Sequence, residues 1–149
     1  MRIALHQPDI AGNVGTILRL SACLNVPVDL IEPMGFAFSD RALMRAGMDY
    51  AAQAEVTRHP DWTAFEAGIT GRIVLLSTRG AVRLDAAEFR PNDILLLGSE
   101  SAGVPQSVHD RADLRVMIPM RPGFRSLNVA VSAAIALGEA LRQTKGWPE

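Results

Sequence analysis

The sequence of 149 residues has one cysteine, one lysine, few aromatic side chains and no long apolar segment. With Cys23 alone the chain cannot form an internal disulfide, which favours a reducing compartment. No apolar run approaches the roughly 20 residues that span a bilayer, and no secretory leader opens the sequence. These absences predict a soluble, cytoplasmic protein that does not enter a membrane.

An excess of positive charge is missing as well. The chain has 15 Lys+Arg against 16 Asp+Glu and a net charge of −1, so no global basic field attracts nucleic acid. Any contact with RNA must therefore come from local clusters. Every basic residue except Lys145 is arginine, which favours bidentate contact with phosphate or carboxylate.

Several catalytic classes lack their residues. His6, His59 and His109 have no neighbours at a metal-ligand spacing, so we expect no metal. No G-x-S-x-G motif supports a serine hydrolase, and no G-x-G-x-x-G motif supports a dinucleotide site.

Short apolar runs alternate with helical patterns, which is typical of an α/β protein with a mostly parallel sheet and helices on both faces. The length fits a single domain over residues 1–149. The strands are predicted at Arg2–His6, Val28–Ile31, Arg72–Ser77, Asp93–Gly98 and Leu114–Ile118, with a weaker one at Glu55–His59.

Helices are predicted in the gaps between these strands. They run from an N-cap at Asn13 to Leu24, from Ser39 or Asp40 to Gly47, from Asp61 to near Gly68, from Pro105 to Ala112, and from an N-cap at Ser126 to Gln143. The last helix is apolar nearly all round its first three turns. Such a helix belongs in the interior or in a subunit interface.

Glycines and polar residues concentrate at three junctions between strands and helices: residues 8–19, 96–105 and 118–128. Ligands of open α/β sheets bind at the carboxyl ends of strands, and helix N-termini attract anions. Each junction also has an ordinary interpretation: a capping Asn13, a tight turn with an exposed Glu100, and a capping Ser126. Asn128 is the exception, because an amide in the first turn of an otherwise apolar helix must find hydrogen-bond partners if it is buried.

Taken in order, the three junctions resemble the three motifs of the SpoU–TrmD (SPOUT) methyltransferases of the TrmH-like class. The matching residues are Asn13, Gly15 and Arg19; then Gly98, Glu100, Gly103, Val104 and Pro105; then Ile118, Pro119, Met120, Ser126, Leu127 and Asn128. Each motif is loose alone, whereas the ordered trio is specific and covers essentially the whole chain.

Two further segments, Ile31–Phe36 and Arg45–Tyr50, are similar to the minimal TrmL-type subgroup. Those enzymes methylate the ribose of the wobble nucleotide, a cytidine or modified uridine at position 34, in leucine tRNAs. Ser101-Ala102 stands where the subgroup has Thr-Arg, and Ala51 stands where it has His. The last helix continues V-A-V-S rather than the subgroup's L-S-N-A.

The resemblance implies a C-terminal trefoil knot, which is otherwise improbable, and a homodimer whose interface includes the first and last helices. It implies S-adenosylmethionine bound by Leu76, Gly98, Ile118, Ser126 and Leu127, without a metal. It implies catalysis by Arg19, Asn13, Glu100 and Asn128. We expect Arg19 to hold a phosphate and stabilise the developing alkoxide, because a guanidinium is a poor base.

The RNA partner would be a tRNA, and the arginines expected to grip it are Arg41, Arg45, Arg121, Arg125 and Arg142. Three alternatives stay open at this point. The chain could methylate another tRNA or rRNA nucleotide, act as a non-catalytic RNA- or cofactor-binding module, or be a flavodoxin-like nucleotide-binding domain.

Overall fold

The computed structural model describes residues 1–39, 41 and 51–149. In this part of the chain one sheet of seven strands forms the centre, in the order β3-β2-β1-β6-β4-β7-β5, and every neighbouring pair is parallel. The strands are β1 (Arg2–His6), β2 (Val28–Ile31), β3 (Val56–His59), β4 (Ile73–Leu76), β5 (Val82–Arg83), β6 (Ile94–Leu97) and β7 (Leu114–Met117).

Helices cover both faces of the sheet. They are α1 (Ala11–Leu24), α2 (Trp62–Gly68), α3 (Gln106–Arg111) and α4 (Val129–Thr144), with 3-10 turns at Ala51–Gln53 and Leu84–Ala86. Helices α1 and α4 pack on one face, and α2 and α3 on the other. None of the helices described is long and apolar enough to cross a membrane.

Alternating side chains of the central strands supply the two cores. Leu95 and Leu97 pack with α1 and α4, whereas Ile94 and Leu96 pack with α2 and α3. A strand that is buried on both faces has no solvent-exposed side, so both of its alternating sets of side chains are apolar. This explains the continuous I-L-L-L run. The predicted α/β fold with a parallel sheet and helices on both faces is confirmed.

All six predicted strands are present, and their ends differ from prediction by at most one residue. The two-residue strand β5 was not predicted, because it lies at the sheet edge and is too short to show a pattern. The N-cap at Asp61 is confirmed, since its side chain accepts from the Ala64 N–H at 2.8 Å. The predicted helix ending at Gly47 falls mostly outside the described residues.

Two predicted N-caps are wrong. Helix α1 begins at Ala11, and Asn13 lies inside its first turn, where its N–H donates to the Ile10 carbonyl at 3.1 Å. Helix α4 is capped by Asn128 rather than Ser126, because the Asn128 side chain accepts from the backbone N–H groups of Ala130 and Val131. Both asparagine side chains are thereby held at the helix N-termini that face the carboxyl edge of the sheet.

The strand order brings distant segments together at that edge. Strands β1, β6, β4 and β7 lie side by side and run in the same direction, so the loops that follow them emerge next to one another. These loops contain the three junctions. Ligands of open α/β sheets bind at this position.

The last helix is also fastened to the segment between β5 and β6. The Gln143 amide donates to the Ala87 carbonyl at 2.9 Å, and its oxygen accepts from the Phe89 N–H at 2.9 Å. One side chain therefore completes two backbone bonds of an irregular segment. The C-terminal end of α4 cannot shift without exposing these groups.

Burial of His6 gives a prediction for stability in mild acid. The side chain is 3% exposed at the end of β1, and burial lowers the pKa of His6 below its usual 6.5. The unfolded chain therefore takes up the proton before the folded chain does. The free energy of unfolding should fall as the pH drops below about 6.5, by at most about 1.4 kcal/mol per pH unit for one proton.

Denaturant unfolding of the wild type and of His6→Gln, at about pH 7.5 and about pH 5.5, measures this effect. Gln does not titrate, so the variant should lose less stability than the wild type between the two pH values. An identical pH response in both proteins would show that His6 does not contribute.

Candidate active site

A cavity of about 560 Å³ opens at the carboxyl edge of the sheet. Its walls come from the loops after β4, β6 and β7 and from the start of α4. The five residues predicted to bind the cofactor all line it: Leu76, Gly98, Ile118, Ser126 and Leu127. Three of the four predicted catalytic residues, Asn13, Glu100 and Asn128, line it as well.

Because Gly98 has no side chain, the loop after β6 can fold back closely against it. A Cβ added at Gly98 would lie 2.5 Å from the carbonyl carbon of Gly103, which is backbone and cannot rotate away. Ser99 and Gly103 exchange two backbone hydrogen bonds of 3.0 and 2.9 Å. Gly103 has a φ of 65°, a conformation that favours glycine. Both glycines are therefore needed to fold this loop tightly against the cavity.

Three side chains, Asn13, Glu100 and Asn128, form what we call the polar triad. The Asn128 amide donates to Asn13 Oδ1 at 3.0 Å, and the Asn13 amide donates to Glu100 Oε1 at 3.3 Å. The other carboxylate oxygen of Glu100 accepts from the Asp9 N–H at 2.6 Å. One residue from each of the three junctions is thus joined to the others.

A second link ties the first junction to the second. Asp9 Oδ2 accepts from the Ser101 N–H at 3.0 Å and from the Ser101 hydroxyl at 2.5 Å. These hydrogen bonds hold the pKa of the Asp9 carboxyl below its ordinary value. Asp9 and Ser101 were not predicted as site residues, because a single Asp in a loop gives no signal of its distant partner.

The Asn128 amide has two separate duties, so two substitutions should separate them. Asn128→Ala removes both the cap and the donor to Asn13, and we expect a loss of about 1 kcal/mol in stability. Asn128→Asp keeps the capping oxygen but cannot donate to Asn13 Oδ1. We expect this variant to unfold at the wild-type temperature or above and yet to lose about 10-fold or more of the activity that the motif resemblance implies.

Thermal unfolding and kcat/KM of the two Asn128 variants test the separation. If Asn128→Asp were fully active, the donor to Asn13 would be dispensable.

Two charged side chains line the cavity among the described residues, Glu100 and Arg79. Arg79 lies in the turn after β4, and its Nη1 donates to Gln106 Oε1 at 3.3 Å. Sequence reasoning missed Arg79. The available signal was its position three residues beyond Leu76, the end of a strand already predicted to lead into the site.

Arg19 is exposed on α1 and does not line the cavity of its own chain. It follows Asn13 by six residues, which places it about 120° away around the helix and about 9 Å along it. Its side chain therefore leaves α1 in a different direction from that of Asn13.

The predicted RNA contacts fall into separate groups. Arg121 and Arg125 are exposed in the loop before α4, beside cavity residues Met120 and Ser126. Arg142 is paired with Glu139 near the other end of α4 at 2.9 Å. This pair, with a further hydrogen bond from Gln143, lowers the pKa of Glu139 to about 2. Arg41 is exposed, and Arg45 lies outside the described residues.

Within residues 1–39, 41 and 51–149, no group of three or more His, Cys, Asp or Glu side chains is placed to hold a metal ion. The donors and acceptors around the cavity are backbone groups, amides and hydroxyls, with one carboxylate and one guanidinium. This set can orient a polar organic ligand.

The family model described as the SpoU rRNA Methylase family matches residues 1–138. A tRNA (cytidine(34)-2'-O)-methyltransferase from Beijerinckia indica is 59% identical over 144 residues, which cover 95% of this chain and 90% of that protein. A solved structure concerned with 2-OH methylation of C/U34 on tRNA has a TM-score of 0.92 at 39% identity, covering 97% of this chain and 96% of that one. An AdoMet-bound rRNA methyltransferase from Sinorhizobium meliloti has a TM-score of 0.83 at 26% identity, covering 95% of this chain and 55% of that one.

Proposed function

Since this chain belongs to the SpoU rRNA methylase family, we propose that it transfers a methyl group to the ribose 2'-oxygen of nucleotide 34, a wobble cytidine, in tRNA. As a member it is an RNA 2'-O-methyltransferase. Position 34 and the tRNA substrate are extended from the relatives' activity. The observation that carries the proposal is the polar triad, which gathers one residue of each junction at one cavity.

The cavity fits S-adenosylmethionine. The absence of a side chain at Gly98 lets the Gly103 backbone pack against it, which holds the loop after β6 at the cavity wall, and residues at the ends of three parallel strands line the cavity. We assign adenine recognition to the backbone at Leu76, Gly98 and Ile118. Leu127 would pack on the base, and Ser126 would contact the cofactor. When bound, S-adenosylmethionine supplies a methyl group carried on a positively charged sulfur.

The chain's own residues align the 2'-oxygen, which is the main contribution a protein can make to such a displacement. The polar triad holds Asn128 in one orientation, because its oxygen serves the helix cap and one N–H serves Asn13. Its second amide N–H is available for the ribose or the adjacent phosphate of the target nucleotide. Glu100 and Asn13 act as positioning residues for this contact.

Arg19 would hold the neighbouring phosphate and stabilise negative charge on the 2'-oxygen. A phosphate oxygen or water takes the proton in this proposal, because the guanidinium stays protonated at neutral pH. Since Arg19 leaves α1 away from its own cavity, we assign it to the cavity of a second copy of the chain.

We accordingly propose a homodimer. Val131 and Ile135 lie one turn apart on α4, Leu127 lies just before the N-cap of that helix, and the three side chains are 46%, 40% and 39% exposed. Ile10, 50% exposed, lies at the start of α1, the helix that packs beside α4. A self-complementary apolar face on adjacent helices suits a two-fold interface. Both Ile10 and Leu127 also line the cavity, so a partner seated there would border the site.

RNA grip is assigned first to Arg121 and Arg125, because both flank the cavity mouth. Arg41 and Arg45 remain candidates as well. Arg142 is the weakest candidate, since Glu139 already neutralises its charge. Arginine–phosphate contacts release counterions, so tRNA binding should weaken steeply with salt.

The C-terminal trefoil knot is proposed from the family resemblance. It is consistent with β7 lying between β4 and β5, which are consecutive in sequence. The Gln143 bonds to Ala87 and Phe89 would hold the last helix against the segment it passes. An experimental electron-density trace through residues 77–129 would show whether the chain passes through the loop and so forms the knot.

We further propose that residues 1–149 act as one cytoplasmic domain, with leucine tRNAs accepting methyl at C34 or U34. Transfer of radiolabelled methyl from S-adenosylmethionine to tRNA lacking this modification, followed by nucleoside mapping, tests the function. Label on the ribose of nucleotide 34 is the expected result. Label at another tRNA or rRNA position would mean that the enzyme methylates that nucleotide instead of nucleotide 34. Cofactor binding without transfer to any RNA would favour a non-catalytic module.

A further inference from the structure

One charged side chain of the cavity has no place in the mechanism above. Arg79 lines the cavity together with Ser77 and Thr78, immediately after β4. The turn that carries it is fixed, because the Arg79 N–H donates to Ser77 Oγ at 3.1 Å and the Gly80 N–H donates to the Ser77 carbonyl at 3.1 Å. The backbone therefore presents Arg79 at a defined point of the rim.

The guanidinium of Arg79 is oriented without being neutralised. Its Nη1 donates to the Gln106 side-chain oxygen at 3.3 Å, and the Gln106 amide donates in turn to Asp110 Oδ1 at 2.8 Å. Among the described residues, six other arginines pair with carboxylates and Arg79 does not: Arg2, Arg58, Arg72, Arg83, Arg111 and Arg142. An amide partner fixes the guanidinium plane and leaves its positive charge for a ligand.

The other charged group of the lining is already engaged. Glu100 accepts from the Asp9 N–H through one oxygen and from the Asn13 amide through the other. A negatively charged group that enters the cavity consequently finds Arg79 as its cationic side-chain partner among the described lining residues.

We propose that Arg79 binds the α-carboxylate of the cofactor and that Gln106 is its positioning residue. This inference rests on the proposed function, because it takes S-adenosylmethionine as the occupant. The position of Arg79 in the cavity favours this role over binding of an RNA phosphate. Gln106 holds Arg79 from α3, whereas Asn13 and Asn128 lie on α1 and at the start of α4, which pack on the opposite face of the sheet.

Binding of two ligands to the wild type and to Arg79→Ala tests the assignment by calorimetry. One ligand is S-adenosylhomocysteine, and the other is S-adenosyl-3-thiopropylamine, which has the same adenosine, thioether and amine but no carboxylate. The wild type should prefer S-adenosylhomocysteine by about 10-fold. Arg79→Ala should abolish that preference by weakening S-adenosylhomocysteine alone, while Arg79→Lys should retain part of it.

Two further variants complete the experiment. Gln106→Ala should reduce the same preference by a smaller factor, which a merely structural role would not do. Arg90→Ala removes an exposed arginine outside the cavity and should leave both affinities unchanged.

Equal weakening of both ligands by Arg79→Ala would overturn the proposal, because it would indicate a structural role. Unchanged affinities with weaker tRNA binding would also overturn it and assign Arg79 to a phosphate. A wild type that binds neither ligand would instead overturn the cofactor assignment itself. A wild type that binds S-adenosylhomocysteine with no dependence on Arg79 would leave the proposed function intact and remove this inference alone.

Discussion

Replacing Arg19 by Ala should lower kcat/KM for methyl transfer by about 10²–10³-fold and leave the affinity for S-adenosylhomocysteine unchanged. The separation follows from geometry, since Arg19 does not line the cavity of its own chain. Its proposed contacts are with RNA phosphate and with charge that develops at the 2'-oxygen. Calorimetry with the cofactor product and single-turnover methylation of tRNA measure the two quantities independently.

Arg19→Lys keeps the positive charge and loses the bidentate geometry. We expect it to remain at least about 10-fold below the wild type in kcat/KM. Near-wild-type turnover of this variant would show that a point charge suffices and would remove the need for a guanidinium.

Mixing two impaired variants, at a cofactor concentration too low to fill the Gly98→Ala cavity, tests which chain supplies Arg19. Arg19→Ala retains an intact cavity, and Gly98→Ala retains an intact Arg19. If Arg19 acts in the partner's cavity, random exchange of subunits should restore about a quarter of wild-type activity, because half the dimers are mixed and each has one complete site. No recovery in mixed dimers, detected by differently tagged subunits, would place Arg19 at the cavity of its own chain.

Gly98→Ala is the second substitution with a large expected effect. Its methyl group would lie 2.5 Å from the Gly103 carbonyl carbon and 2.7 Å from the Gly103 Cα, so the loop of residues 98–103 must move. We expect a loss of about 1–3 kcal/mol in stability. Affinity for S-adenosylhomocysteine should fall by about 100-fold, because the same loop forms a wall of the cavity.

A matched control is Gly68→Ala at the end of α2. A Cβ there meets nothing within 4 Å, and the residue does not line the cavity. Cofactor affinity and unfolding temperature should stay close to the wild type. If Gly98→Ala behaved like this control, the close approach between Gly98 and Gly103 would not matter for binding.

The sheet was predictable because its strands are continuous apolar runs. Continuous apolar runs such as Ile73–Leu76 and Ile94–Leu97 are stable as strands only where helices cover both faces of the sheet. The runs therefore predict both the burial of these strands and their place in a parallel sheet. The edge strand β5 has only Val82 and Arg83, one half-buried and one exposed, which no periodicity distinguishes from a loop. Strand order was beyond sequence reasoning, because it depends on which strands the loops allow to become neighbours.

The site was predicted as a set of residues rather than as a geometry. The motifs identified Asn13, Glu100 and Asn128, but residue type suggested Asn13 as a helix cap and left Asn128 inside a helix. The structure assigns the cap to Asn128 and leaves the Asn13 side chain for Glu100. Contacts between residues about ninety positions apart, such as Asp9 with Ser101, have no local signature.

The strand order has a consequence for how the protein is made. Strand β6 lies between β1 and β4, and β7 lies between β4 and β5. Both β6 and β7 are therefore synthesised after the two strands that they pair with. Until residue 97 is synthesised, β1 and β4 have open edges facing a gap. Until then the nascent chain has apolar strands with unpaired edges, and edge-to-edge association with other chains can compete with folding. The sheet can therefore be completed only after β7, which ends at Met117 of the 149 residues, has been synthesised.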